Sequence, residues 1–190
     1  MNDAAVMPTR HKLDVHDYER MVLVGILGQQ DRVELIHGEI MDMSPIGQSH
    51  EGAVNALNLA LVLACQSKAI VSVQNSVRLD RWSVPQPDFA VFRYRTDFYL
   101  EGRRPTPADA LLLVEVADSS LRYDQEVKLP LYAAAGIPEY WIVDMQRRVV
   151  DAYRRPEGGG YAEQATHRGG DQVPLSAAPD IVVTLPVVLR

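Results

Sequence analysis

Two carboxylates and a lysine stand out because the charge of each has to be answered by something nearby. Glu115 is the one charged residue in the run Leu111-Leu-Leu-Val-Glu-Val-Ala117, five of whose seven residues are Leu or Val. An ionised carboxylate in so apolar a setting is strongly disfavoured unless it is paired, hydrogen-bonded or bound to a metal. Asp88 lies at the mouth of a second apolar segment, Pro85-Gln-Pro-Asp-Phe-Ala-Val-Phe92, and Lys128 follows Glu115 in a chain with only three lysines. Magnesium takes oxygen ligands in near-octahedral geometry, commonly one or two protein carboxylates with water and substrate phosphate completing the shell. Asp88 and Glu115 meet that need as metal ligands, and manganese can stand in for magnesium. A lysine beside them can position or deprotonate an attacking water and offset transition-state charge while the metal polarises the phosphoryl oxygens. Each residue also has a plain structural alternative. Asp88 can end a strand after proline, Glu115 can pair with a buried Arg or Tyr, and Lys128 can lie on a helix surface.

These residues need a scaffold that holds them together. The run at 111–117 lacks helical spacing and predicts a short strand covered on both faces. Downstream, residues 124–135 predict a helix, with Pro130 inside it as a kink or as a sign that the helix starts near Val127. Gly136 and Pro138 stop that helix before a strand at 139–144. Upstream, Asp14 caps a short amphipathic helix through Val24, read as a lid or dimer element. Residues 32–41 alternate around His37-Gly38 as two strands and a tight turn, with Glu34 and Glu39 on the polar side. Pro45 and Gly47 break that hairpin. Ser49 then caps a long helix from about 50 to 66, with Val54, Leu57, Leu61 and Ala64 facing the core. A strand follows at 70–79, and residues 94–109, with Gly102, Pro105 and Pro107, predict a surface loop. Residues 149–164 form a hairpin around Pro156-Glu-Gly-Gly-Gly160, and the tail from Asp171 reads as short edge strands.

At 190 residues the chain suits one domain over 1–190, with residues 1–10 untethered. Its single cysteine, Cys65, excludes a disulfide framework and predicts a buried, inert thiol in a reducing compartment. With no leader-like start and no apolar run near the roughly 18 residues that span a bilayer, the expected location is cytoplasmic and away from membranes. A net charge of −6 argues against a general basic surface for nucleic acid. Local pairs such as Arg147-Arg148 and Arg154-Arg155 leave two readings open, a basic groove or solvated turn charges.

Taken together, Pro87-Asp88, Glu115 to Ser120, Asp124 to Lys128 and Tyr132 to Asp144 resemble the Uma-type putative restriction endonuclease family, a branch of the PD-(D/E)XK nucleases. Glu34-Leu-Ile-His-Gly-Glu39 and His50 match the family's N-terminal half, so the resemblance covers roughly residues 12–165. It implies an α/β fold with a restriction-endonuclease-like core, a mixed twisted sheet flanked by helices, and extra N-terminal and C-terminal hairpins. It also implies a magnesium-dependent endonuclease acting on DNA, with Asp88 and Glu115 on the metal and Lys128 as the catalytic lysine. The superfamily's lysine stands two residues after the glutamate, where this chain has Ala117, so Lys128 would be that lysine moved onto the helix. Glu34, His50 and Asp124 are additional site candidates. Glu34 either shares a hairpin face with Arg32 or approaches the metal, His50 either starts a helix or joins the site, and Asp124 pairs with Lys128 along the helix. A homodimer is expected. Rival readings are a degenerate nuclease fold that binds nucleic acid or protein, and a structural homo-oligomer.

Overall fold

The computed structural model describes residues 9–28, 30–44, 47–101 and 104–189, less the side chain of 189. Most of the N-terminal stretch expected to be untethered, together with Pro45 and Gly102, lies outside the described residues.

The chain opens with α1 (Val15–Leu23), capped by the Asp14 carboxylate, which accepts from the backbone N–H groups of His16 and Asp17. Strands β1 (Val33–Ile36) and β2 (Glu39–Asp42) form a hairpin whose turn residues, His37 and Gly38, both have positive φ, 51° and 81°. That is the pairing demanded by a two-residue turn matching strand twist. A side chain at Gly38 would also come within 2.8 Å of Lys12 Cβ. Helix α2 (Gln48–Cys65) buries Ala53, Val54, Leu57, Leu61 and Cys65. It begins two residues before the expected start, with Gly47 rather than Ser49 at the cap, because the Ser49 hydroxyl donates to Asp118 instead, at 2.6 Å.

Strands β3 (Ala69–Val73), β4 (Phe89–Arg93) and β5 (Ala110–Ala117) then run antiparallel to one another. The strand expected over 70–79 is shorter, since the chain leaves β4 after Val73 and Val77 and Leu79 instead donate to the carbonyls of Pro85 and Ser83. After β5 come α3 (Leu121–Tyr123), a π-helical turn over Asp124–Lys128, and α4 (Leu129–Ala134). Pro130 has no N–H to give the carbonyl four residues back. The helix continues through it by widening just beforehand, with Leu129 N–H donating to the Asp124 carbonyl five residues back. Gly136, at φ 75°, ends the run and lets Ile137 N–H reach the Tyr132 carbonyl.

The crossover delivers β6 (Glu139–Asp144) parallel to β5, and β7 (Val149–Glu157) and β8 (Gly160–His167) complete a six-stranded mixed sheet in the order β3-β4-β5-β6-β7-β8. Strands β9 (Gln172–Leu175) and β10 (Ala178–Thr184) are not edge strands of that sheet. They pair only with each other and pack on α2. Their Val173, Leu175, Ile181 and Val183 share one core with α2 and the sheet face carrying Val114, Trp141 and Val150. Face two of the sheet, with Leu113, Tyr140 and Ile142, is covered by Leu131, Tyr132 and Ile137. Both faces being covered, all eight residues of β5 are buried. Trp141 and Tyr140 are core residues with no exposure. Cys65 is buried and its thiol is pushed up to about 11 by burial, which makes it unreactive near neutrality. No helix among the described residues is long and apolar enough to cross a membrane.

Candidate active site

Side chains alternate along a strand, so Leu113, Glu115 and Ala117 point to one face of β5, the face under the helical run. Asp88 immediately precedes β4, whose residue Phe89 pairs with Val114, and this brings its carboxylate beside the end of β5. Lys128, at the last residue of the π-turn, reaches back to the same place. Its Nζ donates to Glu115 Oε1 at 2.9 Å and lies 3.2 Å from Glu34 Oε2. A cavity of about 310 Å³ is lined by Asp88, Glu115, Lys128, Glu34, His50 and Asp124 among others. Every site candidate from the sequence is therefore in one place.

Glu115 is 5% exposed and its Oε1 also accepts from the Tyr132 hydroxyl at 2.8 Å. Among the described residues no hydrogen bond is made to its Oε2. Burial pushes the Glu115 carboxyl well above the usual range, against the pull of the Lys128 ammonium, and the charges of Asp124 and Asp88 push it the same way. Asp88 behaves oppositely. Burial raises it, but His50, the Val116 N–H at 2.8 Å and the Gln74 amide at 3.2 Å together hold it below its ordinary value. Asp124 is pushed up to about 6 by burial, opposed by Lys128 and by the Ser120 hydroxyl, which donates to it at 2.7 Å. Lys128 is disfavoured as a cation by burial, yet Glu115, Glu34 and Asp124 outweigh that and hold its pKa above the ordinary lysine range.

Glu34 corrects an expectation. It does not share a solvent-exposed side with Glu39: it is 2% exposed whereas Glu39 faces water. Its carboxylate is buried because it has three answers, the Lys128 ammonium, the Gln86 N–H at 3.1 Å and the Tyr123 hydroxyl at 3.3 Å. His50 is the third residue of α2 and also lines the cavity, with Nε2 3.1 Å from Asp88 Oδ2. An ionised carboxylate only accepts, so Nε2 carries the proton, and the bond to Asp88 raises the imidazole's pKa above its usual value against the effect of burial. Its buried Nδ1 has no hydrogen-bond partner among the described residues.

Among the described residues no group of three or more His, Cys, Asp and Glu side chains is arranged to hold a metal. A two-carboxylate donor set still suits magnesium, which keeps several waters. The fit is supported by the unused Glu115 oxygen and by the excess of carboxylates. Glu34, Asp88, Glu115 and Asp124 face one lysine and one histidine, an imbalance that a divalent cation would offset.

A family match now joins this geometry. The profile described as Uma2, putative restriction endonuclease, matches residues 15–187. The chain belongs to the Uma2 family. A crystal structure of "a putative nuclease belonging to DUF820" from Anabaena variabilis superposes with a TM-score of 0.69 at 13% identity, over 93% of this chain and 97% of that one. At that identity the likeness is one of fold, and it bears out the restriction-endonuclease-like mixed sheet flanked by helices. Comparison with curated proteins returns no match. Within this Uma2 chain, the residues that sequence reasoning passed over are those holding the carboxylates. Gln74, on Asp88, falls within the strand expected over 70–79 but beyond the end of β3 at Val73, and Gln86, on Glu34, lies in the proline-flanked turn before Asp88. Tyr132 stands four residues after Lys128 in the segment predicted as a helix, and its bond to Glu115 is a contact that this spacing does not reveal.

Proposed function

We propose that this Uma2 protein is a divalent-metal-dependent endonuclease that hydrolyses phosphodiester bonds in DNA, with Asp88 and Glu115 holding magnesium and Lys128 beside them. The observation carrying this reading is the convergence of a buried lysine, supplied by the helical run after the strand rather than by the strand itself, on the same glutamate that shares a cavity with Asp88. A cation bound there supplies Lewis-acid polarisation of a phosphoryl oxygen. Asp88, held ionised by His50 and Val116 N–H, presents a carboxylate well into acid. Tyr132 and Lys128 fix Glu115 Oε1, and among the described residues Oε2 has no hydrogen bond. Lys128, kept as an ammonium, has no lone pair for a proton, so its part is to donate a hydrogen bond and offset phosphoryl charge rather than to deprotonate water. Asp124, titrating at about 6, is the cavity group suited to take that proton. The test is supercoiled plasmid incubated with the protein in magnesium, in manganese and in EDTA. Nicked or linear DNA with either metal and none in EDTA is expected; equal cutting in EDTA would remove the metal from the reading.

We also infer a homodimer. Leu23, Val24 and Ile26 at the end of α1 are 84%, 67% and 65% exposed. The β7–β8 hairpin exposes no large apolar side chain. Sedimentation is expected to give a dimer at micromolar protein, and Leu23→Asp with Ile26→Asp a monomer. Monomer alone in the unmutated protein would rule the dimer out.

A further inference from the structure

We propose that Arg32 grips the phosphate backbone of the nucleic acid at the mouth of the Asp88–Glu115 cavity, a positioning role that rests on the nuclease reading above. Three basic side chains line that cavity. Two of them are committed: Lys128 to Glu115 and Glu34, and His50 to Asp88. Arg32 is exposed, and its described hydrogen bond runs from Nη1 to the Ser44 carbonyl at 2.9 Å. Among the described residues no carboxylate pairs with it, although Glu34, Asp42, Asp88 and Asp118 line the same cavity. Several arginines elsewhere are answered by a carboxylate: Arg81 by Asp14, Arg95 by Asp97, Arg122 by Glu126, Arg147 by Asp151, Arg154 by Glu139.

Placement follows from strand alternation. Arg32 precedes Glu34 by two residues, so the hairpin that drives Glu34 inward onto Lys128 sets Arg32 on the same side, nearer the rim. The hairpin base is fixed there by Met43 N–H donating to the Arg32 carbonyl at 2.8 Å. The start of α2, otherwise a natural place for an anion, is already taken by Asp118, which accepts from Ser49. A phosphodiester entering past Asp42 and Asp118 meets repulsion, and the guanidinium with its unused N–H groups is the countercharge at that rim. Such a fork suits phosphate oxygens in pairs.

The experiment compares the full chain with Arg32→Gln, Arg32→Lys and Arg155→Gln, the last removing an arginine paired with Glu163 and outside the cavity. Cleavage kinetics are read in magnesium, and affinity for a labelled DNA duplex is read by anisotropy across a salt series. Arg32→Gln is expected to raise KM and Kd roughly tenfold with kcat within about twofold. It should also lower the slope of log affinity against log salt by about one, the share of a single phosphate contact. Arg32→Lys should recover part of the affinity and all of the salt slope, and Arg155→Gln should match the unmutated protein. An Arg32→Gln protein with unchanged KM and salt slope overturns the Arg32 role and leaves the nuclease reading standing. So does a loss confined to kcat. Should Arg32→Gln not fold, an Arg32→Lys protein whose KM equals that of the unmutated chain decides against the bidentate grip. An unmutated protein that neither binds nor cuts DNA overturns the nuclease reading and the Arg32 role with it.

Discussion

Lys128→Ala is expected to abolish DNA cleavage and to lower the melting temperature by on the order of 10 °C near pH 8, with the deficit shrinking in acid. Lys128 is 4% exposed and answers two buried carboxylates, Glu115 and Glu34. Removing one partner of such a group leaves uncompensated buried charge, which costs about 3–5 kcal/mol. The carboxylates can relieve part of this by taking a proton. Lys128 is the neighbour that lowers the Glu115 pKa, so its loss raises a value that burial has already raised. The cost is thus largest where Glu115 is forced to ionise and fades as pH falls toward 4.5, its ordinary value. Magnesium in the same cluster should return part of the lost melting temperature without returning cleavage, because charge is restored but the donor is not. Lys128→Met, which keeps most of the buried stem, separates lost charge from lost packing. Melts of both variants between pH 5 and 9, with and without magnesium, together with plasmid cleavage, measure this. Wild-type melting at pH 9 would show that Lys128 is not the buried countercharge, and wild-type cutting by either variant that it is not the catalytic lysine.

How far the sequence revealed this cluster depends on range. The strand at β5 was legible because seven consecutive residues carry the pattern, and Glu115 was conspicuous inside it. Helix α1, the β1–β2 turn and the stop at Gly136 were legible too, each set by a cap or turn residue next to the element. What escaped was whatever depends on a distant partner. Nothing near Ser49 shows that its hydroxyl is drawn to Asp118 rather than to the start of α2. Glu34 sits in a strand whose alternation assigns it to the polar side, and only the arrival of Lys128 and Gln86 from elsewhere makes it a buried residue. The π-turn shows the same thing in the backbone. Pro130 announces a disturbance, but whether the helix kinks, restarts or widens is settled by the need to carry Lys128 and Tyr132 together onto Glu115. The tail strands could be read as strands; that they cover α2 rather than extend the sheet could not.

Glu115→Gln is expected to remove both the magnesium-induced rise in melting temperature and DNA cleavage, and to flatten the dependence of stability on pH above about 5. In the metal-free protein the Glu115 carboxyl has a raised folded-state pKa. Its favourable protonation is complete below 4.5 and is lost as pH climbs through the folded value. Asp124 acts in the same direction over the window from 3.8 to about 6. Asp88 acts oppositely, since its lowered value makes a contribution that is present above 3.8 and vanishes only as pH falls through the folded value. Metal-free protein should therefore gain stability from pH 8 down to about 5 and lose it in stronger acid. Glutamine is neutral throughout, so the Glu115 share of that slope disappears while the Asp124 share stays. Magnesium binds the ionised carboxylates in the folded chain alone, competing with those protons, so its effect should grow with pH. At a hundred times its Kd the cation adds about 2.7 kcal/mol, or roughly 5–10 °C for a chain of this size. A variant with one ionisable oxygen donor fewer should show almost none of this. The measurement is a melting series from pH 5 to 8 at zero and saturating magnesium for both proteins. A Glu115→Gln protein whose magnesium shift equals that of the unmutated chain at every pH places the cation elsewhere, and Asp88 would then need a different companion.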